Sequence, residues 1–229
     1  MIIKKFKRFT IIAITVFVII VAAIPVVAQI PTQNPIVQTQ NNSLKLVTRA
    51  KQLYQSGRYT EAVEIWQQAS DAFAAVGDKT NQAMSLSNLS LTYQKLGQWD
   101  AARETISKSI TLLQPSSDKN QQILAQTLEI QGKLQLDTGD APSALQTWQQ
   151  ATAIYSKLGD HTGKIQNQIN QAQAFQSLGF YRRAITILND VNKVLQTQPD
   201  SPLKVRTLLM LGNAFNVFGD LQLAEDSLQ

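Results

Sequence analysis

Residues 77–102 read GDKTNQAMSLSNLSLTYQKLGQWDAA. Within them Gly97 is followed two positions later by Trp99 and five positions later by Ala102, and Ile106 stands four positions beyond that alanine. The same spacings return around Gly57, Gly139, Gly179 and Gly219. The alanine slot holds Ala62, Ala144, Ala184 and Ala224, and the large residue four positions on is Trp66, Trp148, Leu188 or Leu228. The gaps between successive glycines are equal, except that from Gly97 to Gly139, which is longer by two positions. Five matches to one spacing set are the mark of a repeat architecture, in which each unit buries its apolar face only by stacking on the next.

A helix–turn–helix unit explains each position. Glycine ends the first helix, where a left-handed conformation costs it no side-chain clash. The small alanine falls where the second helix crosses the first. The large residue lies one turn further along the same face and fills the space between the helices. Asp78 and Asp160 follow Gly77 and Gly159 and can cap the next helix. Pro142 falls in a first turn, where its missing N–H does no harm.

No segment alternates with period two, so no sheet is expected. The pattern predicts ten helices over 43–56, 59–76, 79–96, 99–113, 119–138, 141–158, 161–178, 181–197, 202–218 and 221–229. The last is about half as long as the others. It would leave Val217, Phe218, Leu221 and Leu228 partly uncovered, which suggests a piece of a longer protein. A second period overlies the first. Trp66-Gln-Gln-Ala69 returns as Trp148-Gln-Gln-Ala151, and Leu96-Gly97 as Leu178-Gly179, both displaced by the same offset of two repeat lengths. The array therefore reads as a duplicated pair of repeats, with units at 43–78, 79–118, 119–160, 161–200 and 201–229.

This skeleton resembles the tetratricopeptide repeat (TPR) family over residues 43–229. The resemblance implies a right-handed α-solenoid, and a unit longer than the standard repeat points to the long-repeat subgroup that includes kinesin light chains. Together with the segment INQAQAFQSLGFYRRAI and the terminal LGNAFNVFGDLQLAEDSL, the arrangement also resembles the amino-terminal half of secreted bacterial TPR–CHAT proteins. Asn170–Ile185 is its most specific piece. In that family the repeats precede a caspase-like domain that uses a His and a Cys. This chain has no Cys and one histidine, His161, so no catalytic position of the family has a counterpart in it. The resemblance implies the recognition half alone. The alternative is a subunit or fragment of a peptidase whose catalytic domain lies downstream.

Charge locates a different function at the start of the chain. Lys plus Arg is 21 against 16 for Asp plus Glu, with a pI near 9.4. Lys4, Lys5, Lys7 and Arg8 precede an apolar run over 11–24 and then Pro25-Val26-Val27-Ala28-Gln29. A basic start, a short apolar core and small residues before a polar one describe a secretory signal over residues 1–28, cleaved between Ala28 and Gln29. An uncleaved anchor through residues 11–30 is the alternative. Export to the periplasm or the outside is expected, with the membrane engaged only through this segment. Residues 29–42 are rich in Gln, Asn and Pro and read as a flexible linker. Without the signal the net charge is about +1, too little for a nucleic-acid partner.

Outside the repeats nothing carries chemistry. His161 sits in a turn, and its counterpart in the duplication is Lys79, so it reads as a solvated residue. Glu61/Glu64, Asp137/Asp140 and Glu225/Asp226 fall on outer faces or helix ends. Trp66, Trp99, Trp148, Tyr59, Tyr93, Tyr155, Phe175, Tyr181 and Phe215 occupy repeat core slots. No catalytic residue, cofactor or metal is expected.

The expected partner is a protein or peptide on the concave face formed by first helices. Spacing from the glycines places there Val47, Lys51 and Tyr54; Ser87, Leu91, Gln94 and Lys95; Glu129, Lys133 and Leu136; Ile169, Gln173 and Gln176; Arg206, Leu209, Asn213 and Asn216. The chosen binding residues are Lys51, Tyr54, Gln94, Lys95, Lys133, Gln173, Gln176, Asn213 and Asn216. Amides both donate and accept, which suits a peptide backbone. Lys51 and Lys133 share a slot and could meet an acidic group.

Overall fold

The computed structural model describes residues 35–114 and 118–219. The signal segment with Ala28 and Gln29, and the helix expected over 221–229, lie outside the described residues. Among those described, nine helices follow one another: α1 (Pro35–Gln55), α2 (Tyr59–Ala75), α3 (Lys79–Lys95), α4 (Trp99–Leu112), α5 (Asp118–Asp137), α6 (Ala141–Leu158), α7 (His161–Ser177), α8 (Tyr181–Gln196) and α9 (Pro202–Phe218). None is long and apolar enough to cross a membrane. Each helix packs on its successor in the chain. First helices also meet across repeats, α3 on α5 and α7 on α9. The result is an all-α solenoid built from helical hairpins.

The boundaries follow from residues already named. Gly159 ends α6 with φ at 70°, and the six other repeat and connector glycines also adopt positive φ. Asp78, Asp140 and Asp160 accept from the backbone N–H groups of Asn81, Ser143 and Gly163 at 3.1, 3.1 and 2.8 Å. Each thereby satisfies one of the donors that a helix start leaves open. One boundary departs from expectation. α1 begins at Pro35, so the end of the stretch read as flexible linker is helical. A proline at the first position has its φ already set for a helix, and the residues between it and Ser43 include no breaker.

The crossing point of each hairpin needs small residues on both sides. Ala62, Ala102, Ala144 and Ala184 are fully buried. A second small slot, two turns before each glycine, holds Ala50, Ser90, Gly132 and Ala172, and Gly132 lies against the Trp148 indole. The Ser90 hydroxyl donates to the Ala102 carbonyl at 2.8 Å, which shows how closely the backbones approach. The large residue one turn on fills the resulting space, and Trp66, Ile106, Trp148 and Leu188 are all at most 2% exposed. Such burial stabilises by about 1.5–3 kcal/mol per side chain. The core continues along the array from Val47, Ala50 and Leu53 at one end to Leu211 and Phe215 at the other.

Four aromatic assignments shift, with Tyr59 and Tyr93 only half-buried. Trp66, Trp148, Tyr155 and Phe175 are core residues, but Trp99 is 37% exposed. It is the first residue of α4, where the side chain lies at the rim of the hairpin rather than between its helices. Tyr181 holds the matching position at the start of α8 and is half-buried. His161 is exposed at the start of α7, as its turn position implies.

Candidate functional site

A groove of about 540 Å³ lies on the first helices α3, α5 and α7. Met84, Ser87 and Asn88 of α3 form one wall. Gln122, Ile123, Gln126, Thr127, Glu129 and Ile130 of α5 form the floor, and Asp160, Thr162, Gly163 and Gln166 at the start of α7 form the other wall. Tyr155 of α6 and Leu203 of α9 complete it. The lining obeys the repeat. Met84, Gln126 and Gln166 share one slot relative to Gly97, Gly139 and Gly179, and Ile123, Gly163 and Leu203 share another relative to Gly139, Gly179 and Gly219.

Hydrogen bonds between first helices hold this surface in register. Thr80 donates to Asn120 at 2.9 Å, and the Ser87 and Thr127 hydroxyls meet at 2.8 Å. Between α5 and α7 the links are longer side chains: Gln122 Nε2 to Asp160 Oδ2 and Asn167 Nδ2 to Glu129 Oε2, both at 3.2 Å. From α9, Arg206 donates to Asn170 and Gln173 of α7 at 3.0 and 3.1 Å.

Electrostatics single out Glu129. Burial pushes its carboxyl above the usual range. The Asn167 bond, the Arg206 charge and the Tyr155 hydroxyl pull it back, while Asp160 pushes it further up. Tyr155 is raised well above an ordinary phenol, by burial first and then by the charges of Glu129 and Asp160. Asp160 itself is held low, chiefly by the Gly163 N–H it accepts from. Burial lowers Arg206, and Glu129 opposes that shift. For Glu129, Tyr155 and Arg206 the largest cause is burial in the folded array, whereas Asp160 is shifted chiefly by its local cap.

The nine residues chosen from the sequence lie elsewhere on the first helices, and none lines the groove. Gln94 is buried, and its Nε2 donates to the Ile130 carbonyl at 3.4 Å; Gln176 donates to the Met210 carbonyl at 3.1 Å. These two are similar braces between successive first helices. Gln173 is taken by Arg206. Lys133 is exposed and bonded to Asp137 Oδ2 at 2.6 Å. Tyr54 packs edge-on against Tyr59, ring centres 5.3 Å apart. Lys51, Lys95, Asn213 and Asn216 are exposed. Ser87 and Glu129, mapped to the same face from their spacing, do line the groove. Asn88, Gln122, Gln126, Asp160 and Gln166 line the groove outside the sequence-based set, and the slot shared by Met84, Gln126 and Gln166 is the signal that points to two of them.

The groove contains no nucleophile paired with a base, and no group of three His, Cys, Asp or Glu residues able to hold a metal occurs among the described residues. What it offers is hydrogen-bonding amides and hydroxyls over a partly apolar floor.

A helical-repeat scaffold is the class that this fold and surface define. Residues 43–114 match the family model described as tetratricopeptide repeat. Solved structures with the TPR-like fold cover most of the chain. One, described as a Podosopora anserina kinesin light chain with nearly identical TPR-like repeats, is 19% identical. It covers 82% of this chain and 91% of its own, with a TM-score of 0.70. BtubC (BKLC) from P. vanneervenii is 14% identical and covers 84% of this chain and 79% of its own, with a TM-score of 0.73. The Rap conjugation gene regulator of the plasmid pLS20, solved in complex with the Phr* peptide, is 14% identical. It covers 87% of this chain and 55% of its own, with a TM-score of 0.66. No curated protein matches the sequence.

Proposed function

We propose that the chain is an exported, non-catalytic scaffold that binds an extended peptide, or a peptide segment of a protein, in the groove between α3, α5 and α7. The observation that carries this reading is the lining itself. Gln122, Gln126, Gln166 and Asn88 bring amide groups from three successive first helices to one concavity with a partly apolar floor. Amides spaced along a groove can match the alternating donors and acceptors of an extended backbone. One of the solved structures with this fold carries a bound peptide. Selection of peptides on the immobilised full chain tests the reading. Gln126→Ala with Gln166→Ala should weaken the selected peptides by about tenfold, as expected for losing two or more hydrogen bonds. Selected peptides that ignore both substitutions would place binding elsewhere.

Export through residues 1–28 and membership of a TPR–CHAT protein belong to the same proposal. The basic and apolar pattern before Gln29 supports the first, and the segment Asn170–Ile185 supports the second. Amino-terminal sequencing of secreted material beginning at Gln29 would establish cleavage, whereas recovery with membranes and an intact start would establish anchoring. A caspase-like His/Cys segment encoded downstream in the same frame would establish the family link, and its absence there would remove it.

A further inference from the structure

The groove has a sign. Glu129 and Asp160 are its two charged lining residues, and no Lys or Arg lines it. That is the reverse of the acidic-ligand reading suggested by Lys51 and Lys133, which lie outside it. Glu129 stands in register with Ser87, Ile169 and Leu209, so the repeat does not require an acid at this slot. Among the described residues it forms no ion pair, and Arg206, the cation facing it from α9, is bonded instead to Asn170 and Gln173. Its other neighbours are Asn167 of α7, which donates to it, Tyr155 of α6, and Asp160, whose like charge disfavours it. Asn167, which donates to Glu129 from behind this lining, is fully buried and does not itself line the groove.

We infer that this groove recognises a peptide through a lysine or arginine side chain whose cation is met by Glu129 and Asp160. The inference rests on the proposed peptide-binding function and adds the sign of the residue that is read. A cationic N–H donor supplies what the site lacks: it compensates two neighbouring carboxylates, one of them half-buried, where a charge-assisted bond is stronger than at the surface. The backbone amide contacts would set register, and the cation would set specificity.

The test is selection from a displayed library of nonapeptides, all positions randomised, on the immobilised full chain and on two variants. Glu129→Gln preserves shape, and Asp160→Asn preserves the helix cap; circular dichroism melting verifies that both stay folded. Peptides selected on the parent chain should be enriched in Lys or Arg at one position by about tenfold over the input, a ratio typical of one semi-buried charge pair. That enrichment should collapse on either variant, and Lys133→Ala should leave it intact. Selected peptides with no basic enrichment, or enrichment that survives both variants, overturn this inference while leaving peptide binding standing. If no peptide is selected on the parent chain, both fall.

Discussion

Trp66 and Trp148 occupy the same slot in the two halves of the duplication, and both are 1% exposed, yet their indoles fare differently. Trp148 Nε1 donates to the Glu129 carbonyl at 3.1 Å, whereas Trp66 Nε1 is buried without a partner among the described residues. The facing residue differs by one methyl. Ala50 opposes Trp66, and Gly132 opposes Trp148, where an added Cβ would fall well inside van der Waals contact with the indole. Trp148→Phe should therefore cost about 1 kcal/mol more than Trp66→Phe, the net worth of one hydrogen bond; urea denaturation of the two variants measures the difference. Gly132→Ala should destabilise by about 1–3 kcal/mol through overpacking, since the rigid indole cannot swing aside. Equal stability of that variant and the parent would show that α5 and α6 can separate at no cost. The sequence shows Gly132 only as a glycine inside a helical pattern. Its reason is the ring it faces, which only the packed hairpin supplies.

At the scale of a helix, the turns carry most of the information. Asp160 caps α7, and its carboxyl is held below the ordinary range, chiefly by the Gly163 N–H. A carboxyl lowered in the folded state stabilises above its unfolded pKa, and the contribution disappears as pH falls through the folded pKa. Glu129 works in the opposite sense. Its raised pKa gives a contribution present at acid pH that is lost as pH rises through the folded value. Asp160→Asn keeps the cap without the titration, so its loss of stability between neutral pH and about pH 3 should be smaller than the parent's. Asp160→Ala removes the cap and should cost about 1 kcal/mol at neutral pH. Urea midpoints at the two pH values read both effects. The helix starts at 59, 79, 99, 141, 161, 181 and 202 follow from glycine, aspartate and proline positions, because such signals act within a turn of chain. The start of α1 does not follow. A Gln- and Asn-rich stretch has weak preferences, and docking of the rest of α1 on α2 lets its helix run back to Pro35.

Across the whole array, cover is uneven. Val205 and Leu209 of α9 are 56% and 52% exposed, although the corresponding residues of α7, Ile165 and Ile169, are buried. Stability in a solenoid is a sum of units and their interfaces, so opening should begin where an interface is least complete. Amide hydrogens of α9 should exchange before those of α3 to α6, and exchange mass spectrometry of the native chain checks the order. Uniform protection would mean that the array opens as one unit. Glycine and alanine spacing determined the repeat, the hairpins, their boundaries and the all-α class, because each is a local steric requirement written at a fixed position. It also indicated that a concave face of first helices exists and placed Ser87 and Glu129 on it. Where along that face a groove opens, and which side chains line it, was decided by packing. Gln94 and Gln176 are used as braces between helices, Lys133 is matched by Asp137, and the groove forms one or two turns earlier around Glu129. The raised pKa values of Glu129 and Tyr155 and the lowered one of Arg206 come first from burial in the packed array, which no local spacing encodes, whereas Asp160 is held low chiefly by its own local cap.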